Sequence, residues 1–239
     1  MSVTLFSFLM TVLAGNVVMF LLFLCCRSSR VVGTVGLNPL LICAGMCMLR
    51  VCIPVEFGFA KEVTIPSIYN PVYDFLTREV SGKGITVIHI AICIWIAVGL
   101  ILLCRLLVTY YRYRQTLSQL PGMATMQVLG ITRRIMSTAD QRRIRMVAIA
   151  PDDIPKTVGV INPLILLPLR GYANKELELI LLHEYTHIRN KDILIKWVVE
   201  ILSIAFWWFP ALYLFKYGLG SILEVRCDLM VMKGQKESS

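Results

Sequence analysis

Four apolar runs constrain this chain more than any other feature. They lie near residues 3–26, 35–53, 85–108 and 197–215, and each is long enough to consider for a bilayer crossing. A single run of this kind is more simply a buried core helix. Four of them within 239 residues leave too little polar chain to wrap them all, so the sequence predicts a protein integral to a membrane. Hydrophobic residues make up 57% of the chain, and the excess over a soluble protein concentrates in these runs.

The first run reads as a retained span rather than a cleavable leader: no basic segment precedes it, and it ends in Cys25-Cys26-Arg27 rather than at small residues. The net charge of +9 reads as a topology signal rather than as nucleic-acid binding. Arg27 and Arg30 follow the first run, and Arg105, Arg112 and Arg114 mark the end of the third. The 59–84 loop instead balances Lys61, Arg78 and Lys83 against Glu62, Asp74 and Glu79. The positive-inside rule then puts the N-terminus outside, the 27–34 turn inside, the 59–84 loop outside and everything from about residue 109 inside. This predicts a transmembrane domain over 1–110, with about three spans at 3–26, 35–53 and 85–108, and a cytoplasmic domain over 111–239. None of the eight cysteines sits in the outer loop, so no disulfide framework is implied. Arg50 reads as a snorkelling side chain near the outer end of the second span, and His89 as an interfacial or packed residue.

Beyond the tyrosine- and arginine-rich stretch at 110–114 the composition turns mixed. Residues 123–143 read as one amphipathic helix ending in Arg142, Arg143 and Arg145, a cluster more simply solvated than bound to lipid. Two β-rich runs follow, 144–149 and 157–167, the second interrupted by Asn162-Pro163. Asn174 is the expected N-cap of the next helix, with Glu176 and Glu178 in its first turn. The fold class is therefore mainly α, a membrane protein carrying an α+β domain with a short sheet.

That helix carries His183-Glu184-Tyr185-Thr186-His187. Residues i and i+4 share a helix face, so both imidazoles can reach one Zn²⁺, while Glu184 is offset to serve as general base rather than ligand. Two packed histidines and a surface glutamate would be the blander account. However, Leu177, Ile180, Leu181 and Leu182 predict a buried helix, where such groups are costly without partners. A catalytic zinc also needs a third protein ligand and an open position. Glu224 and Asp228, four apart on a later helix, supply a candidate ligand and a candidate partner for a ligand histidine. Asp192 is a second such partner or a lock on the end of the motif helix. If Glu224 is a ligand, residues 197–219 must enter and return rather than cross, and the Trp207-Trp208-Phe209-Pro210 break with Gly218 and Gly220 makes that feasible. The edge of the 164–168 strand is expected to align an extended substrate, and Arg226 and Tyr185 are weak candidates to stabilise an oxyanion.

Several segments together resemble the BlaR/MecR-type antirepressor sensor-transducer metallopeptidases of bacteria. They are LRVCIPVEF at 49–57, TVGVINPLILLP at 157–168, HEYTHIRNKD at 183–192, WWFP at 207–210 and EVRCD at 224–228. The resemblance implies a gluzincin-like zinc metalloendopeptidase domain with His183, His187 and Glu224 as ligands of one Zn²⁺ and Glu184 as the base. It also implies a multi-pass protein of the bacterial plasma membrane that acts on a protein or peptide substrate, with a transcriptional repressor as the candidate, and that makes no direct contact with nucleic acid. A homodimer is compatible with it. Sensor members of that family continue into a penicillin-binding domain, whereas this chain stops at Ser239, so it reads as sensorless or truncated and β-lactam sensing is not carried over. Membrane quality-control and CaaX-type proteases share the same motif pair. The main rival is a non-catalytic signalling protein with a closed zinc site that also uses Cys227.

Overall fold

The computed structural model describes residues 5–28, 37–52, 66–82 and 84–237. Two compact units emerge, one from residues 1–105 with 202–219, the other from 106–201 with 220–239. Most of the 27–34 turn lies outside the described residues.

In the first unit, α1 (Leu5–Arg27) and α2 (Leu37–Cys52) are largely apolar, with Asn16 and Arg50 among the few polar residues. They meet at Gly15, where an added Cβ would come within 3.1 Å of Val51 and 3.3 Å of the Phe209 ring; a larger residue there would push the contact apart. The expected outer loop contains a helix, α3 (Pro66–Thr77), and a two-stranded ribbon of β1 (Glu79–Ser81) and β2 (Ile85–Thr86). The third run begins two residues later than expected because Ile85 and Thr86 join that ribbon. The helix, α4 (Val87–Gln119), then runs on well past residue 108. His89 accepts from the Thr86 amide at 3.3 Å and lies 2.7 Å from its hydroxyl, which makes it a partner of the first turn. Among the described residues α4 is the one helix long and apolar enough to cross a membrane; Met10–Cys25 and Asn38–Val51 are shorter apolar stretches. From Val87 to Val108 it rises about 33 Å, matching a hydrocarbon core of about 30 Å. The side chain of Trp95 donates to the Ala205 carbonyl at 2.8 Å and so ties α4 to the later segment of this unit.

The second unit is built on a three-stranded sheet. β3 (Arg145–Ile149) pairs in parallel with β5 (Leu164–Pro168), and β4 (Lys156–Val158) pairs antiparallel with β5 on its other side. Thus β5 is the central strand, and the expectation that its edge aligns a substrate is corrected: both of its edges are already paired. The outer edge of β3 is covered in part by residues 121–123, through Ala148 N to Pro121 O at 3.1 Å and Met123 N to Met146 O at 3.0 Å. The β4–β5 turn requires Gly159, whose φ is +94° and whose missing Cβ would lie 2.8 Å from the Arg114 guanidinium. Every residue of β5 is buried. Ile165 and Leu167 pack on one side with Val128, Ile131, Leu177, Leu181 and Tyr185, while Leu164 and Leu166 pack on the other with Leu117, Val147 and Ile149. A continuous apolar strand between two cores follows from the period-two alternation of side chains.

The expected single helix over 123–143 is two helices, α5 (Met126–Ile135) and α6 (Thr138–Arg143). The break falls where Met136 turns extended and Ser137 caps α6, its hydroxyl accepting from the Asp140 amide at 3.2 Å. The N-cap of α7 (Asn174–Arg189) is Ala173, not Asn174. Asn174 is the first helical residue, and its side chain instead accepts from Gln127 at 2.8 Å. α8 (Asp192–Ala205) and α9 (Pro210–Glu237) follow, separated by the Trp-rich break. Their side-chain contacts run in opposite directions along the two helices: Tyr213 donates to Ser203 O at 3.3 Å, and Lys196 pairs with Glu224 at 3.5 Å. The chain therefore doubles back at 206–209.

Candidate metal centre

Three elements of the second unit converge here. Leu177, Leu181 and Tyr185, one helical turn apart, bury one face of α7 against the sheet. This leaves His183 and His187 together on another face, with their Nε2 atoms 3.2 Å apart. Because α9 returns beside α8, it brings Glu224 Oε2 within 3.5 Å of His183 Nε2 and 3.3 Å of His187 Nε2. Tetrahedral coordination at about 2.0–2.1 Å requires donor atoms about 3.3–3.4 Å apart. The triangle of two nitrogens and one oxygen has that size, so the donor set fits a zinc ion with one position left over.

The remaining ring nitrogens face carboxylates. His187 Nδ1 lies 2.7 Å from Asp192 Oδ2, and His183 Nδ1 lies 3.1 Å from Asp228 Oδ1. This is the arrangement that fixes the tautomer of a ligand histidine and turns Nε2 toward a metal. Asp192 opens α8, is fully buried, and also takes the guanidinium of Arg226 from α9. In the metal-free protein His187 is raised to about 10, chiefly by Asp192, and His183 to about 8, first through its contact with the Cys227 thiol. Burial opposes ionisation of Glu224, but His187 and Lys196 outweigh it and lower its carboxyl. The Cys227 thiol is likewise lowered, the two histidines overcoming its burial.

Glu184 is buried beside this triangle, and its carboxylate Oε2 accepts from the Thr157 hydroxyl of β4 at 2.6 Å. Cys227 forms a looser group with the two histidines, its sulfur and their nitrogens all lying within 4.8 Å. The thiol is turned to the His183 carbonyl, to which it donates at 3.2 Å, while Glu224 closes the tighter triangle. Glu224 thus closes the tighter triangle with the two histidines, and Cys227 the looser one.

His183, Glu184, His187, Glu224, Asp228 and Asp192, all singled out from sequence, meet here. The two weak oxyanion candidates are corrected: Tyr185 donates to Asp140 at 2.6 Å and Arg226 is engaged by Asp192, so each serves a carboxylate. Sequence reasoning missed Thr157 and the contact of Lys196 with Glu224. A cavity of about 190 Å³ borders His187, lined by Val160, Ile188, Ile193 and Leu194 with Arg143 and Lys191 also at its wall.

A helix carrying HExxH, joined by a carboxylate from a second helix, is an arrangement of the kind that metal-dependent peptidases use. The chain belongs to the BlaR1 peptidase M56 family, whose sequence model matches residues 74–239. It is 35% identical over 81 residues to "Regulatory protein BlaR1" of Bacillus licheniformis, a stretch covering 33% of this chain and 14% of that protein. It is 32% identical over 84 residues to "Methicillin resistance mecR1 protein" of Staphylococcus aureus, covering 34% of this chain and 14% of the relative. The same protein of Staphylococcus epidermidis matches to the same extent. The match thus spans about one seventh of each of these relatives, 14% of its length.

Proposed function

We propose that this chain is a membrane-anchored zinc metalloendopeptidase that cleaves a protein in antirepressor-type signalling. The observation that carries this reading is the triangle of His183, His187 and Glu224 donor atoms at 3.2–3.5 Å, on the helix that also carries Glu184. His183, His187 and Glu224 would hold one Zn²⁺, which when bound supplies Lewis acidity for a carbonyl and for water. Glu184 takes the proton from the attacking water and delivers it to the leaving amine. Thr157 holds that carboxylate through one oxygen and leaves the other free for the proton. With β5 central, the open edge of β4 is the place for an extended substrate to add by backbone pairing, directly beside Glu184.

α4 anchors the chain, with α1 and α2 as two further spans of the bacterial plasma membrane and the peptidase domain on the cytoplasmic side. The helix break at 206–209 lets the 197–219 segment enter the interface and return. The family relationship and the regulatory name of the Bacillus relative make a transcriptional repressor the first substrate to try. The test is zinc content and repressor cleavage by the purified chain and its Glu184→Gln variant. Zinc in both with cleavage only by the parent is the expected result; equal cleavage by both would remove Glu184 from the mechanism.

A second reading, a non-catalytic zinc-binding signalling protein, draws on the proximity of Cys227 to both histidines. It requires the thiol to leave the His183 carbonyl and fill the remaining position.

A further inference from the structure

We propose that Arg226 is a positioning residue of this centre, acting on His187 through Asp192; the inference rests on the metal-binding reading above. Asp192 is 1% exposed, and a carboxylate so buried must be fully paired. Its two oxygens are divided between two partners: Oδ2 faces His187 Nδ1 at 2.7 Å, and Oδ1 faces Arg226 Nη2. The carboxylate therefore cannot rotate without losing one of them. With Nδ1 held, the His187 ring can present only Nε2 toward His183 and Glu224.

Arg226 does this at its own expense. Its Nε is buried with no hydrogen-bond partner among the described residues, so the guanidinium lies where Asp192 needs it rather than where all its donors are satisfied. Its place in the chain adds a consequence. Glu224, Arg226 and Asp228 all lie on one turn of α9, and they serve the metal position, Asp192 and His183 in that order. Docking of α9 thus delivers the third ligand and fixes both histidines in a single event. A lysine at 226 would supply the charge but not the planar fork.

The test is Zn²⁺ affinity of the full chain in detergent, measured by competition with a chromophoric chelator. Arg226→Met should weaken binding by about 10–100-fold, and Arg226→Lys should fall between Arg226→Met and the parent. The Asp192→Asn/Arg226→Met double variant should bind within about twofold of Asp192→Asn alone, since the two residues act as one unit. That double variant also removes both charges of the buried pair, so it carries the test if Arg226→Met alone does not fold. Parental affinity in a folded Arg226→Met protein, or additive losses in the double variant, would overturn the proposal. A parent chain that binds no zinc would instead overturn the metal-binding reading on which it stands.

Discussion

The two histidines of α7 are one helical turn apart and chemically alike, yet their surroundings differ sharply. His187 is 8% exposed and its partner Asp192 is 1% exposed and backed by Arg226. His183 is 27% exposed and its partner Asp228, 63% exposed, sits at a longer 3.1 Å. One half of the centre is buried, with His187 Nδ1 and both Asp192 oxygens paired; the other borders solvent. In the proposed zinc site the buried half would set the position of the metal, and the open half would leave room for a substrate and for the remaining coordination position.

The largest expected effect comes from removing the base while leaving both halves intact. Glu184→Gln should retain zinc and lose about 10²–10⁴-fold in cleavage rate. Next, Asp192→Asn should weaken zinc binding by about 10–100-fold, because the His187 ring loses its hold in a buried setting. Comparable losses from Asp228→Asn would break the distinction between the halves. Thr157→Val should lower cleavage about tenfold with zinc content unchanged, and Thr157→Ser should restore it, since the hydroxyl orients the Glu184 carboxyl group. Asp228→Asn should cost zinc affinity only about threefold, as expected of an exposed contact.

The remaining prediction is read from pH. Both histidines in the metal-free protein hold their protons above the ordinary imidazole value of 6.5. Their contribution to stability is therefore complete below about pH 6.5 and is lost as pH rises, through about 8 at His183 and about 10 at His187. Thermal unfolding of chelator-treated protein across that window should show stability falling in this order. Zinc displaces the same protons, so its affinity should rise over the same range. A flat unfolding profile would show that Asp192 at His187 and the Cys227 thiol at His183 do not hold the protonated rings.

How much of this was legible from sequence depended on how local each feature is. The i, i+4 spacing within His183–His187 and Glu224–Asp228 is set by the helix itself, so both faces could be read directly. Whether the two helices meet depends on the turn at 206–209, which the Trp-Trp-Phe-Pro break signalled but did not fix. Thr157 could not be found this way, because its contact with Glu184 spans 27 residues and depends on the register of β4. The burial of β5 on both faces is readable in the unbroken apolar stretch at 164–167, which marks a central strand rather than a substrate-aligning edge. Ser137 followed by Asp140 was likewise a readable start signal for α6, hidden by the amphipathic pattern running through it. Nothing comparable marked Ala173: Asn174 had the better capping chemistry, but Gln127 engages it from another helix.

The central claim is that His183, His187 and Glu224 hold a single zinc and leave Cys227 outside its coordination. X-ray absorption at the zinc edge of the purified full chain tests it directly. The account predicts only nitrogen and oxygen neighbours, at about 2.0–2.2 Å, and no sulfur shell. A sulfur neighbour at about 2.3 Å would place Cys227 on the metal and contradict the open catalytic site.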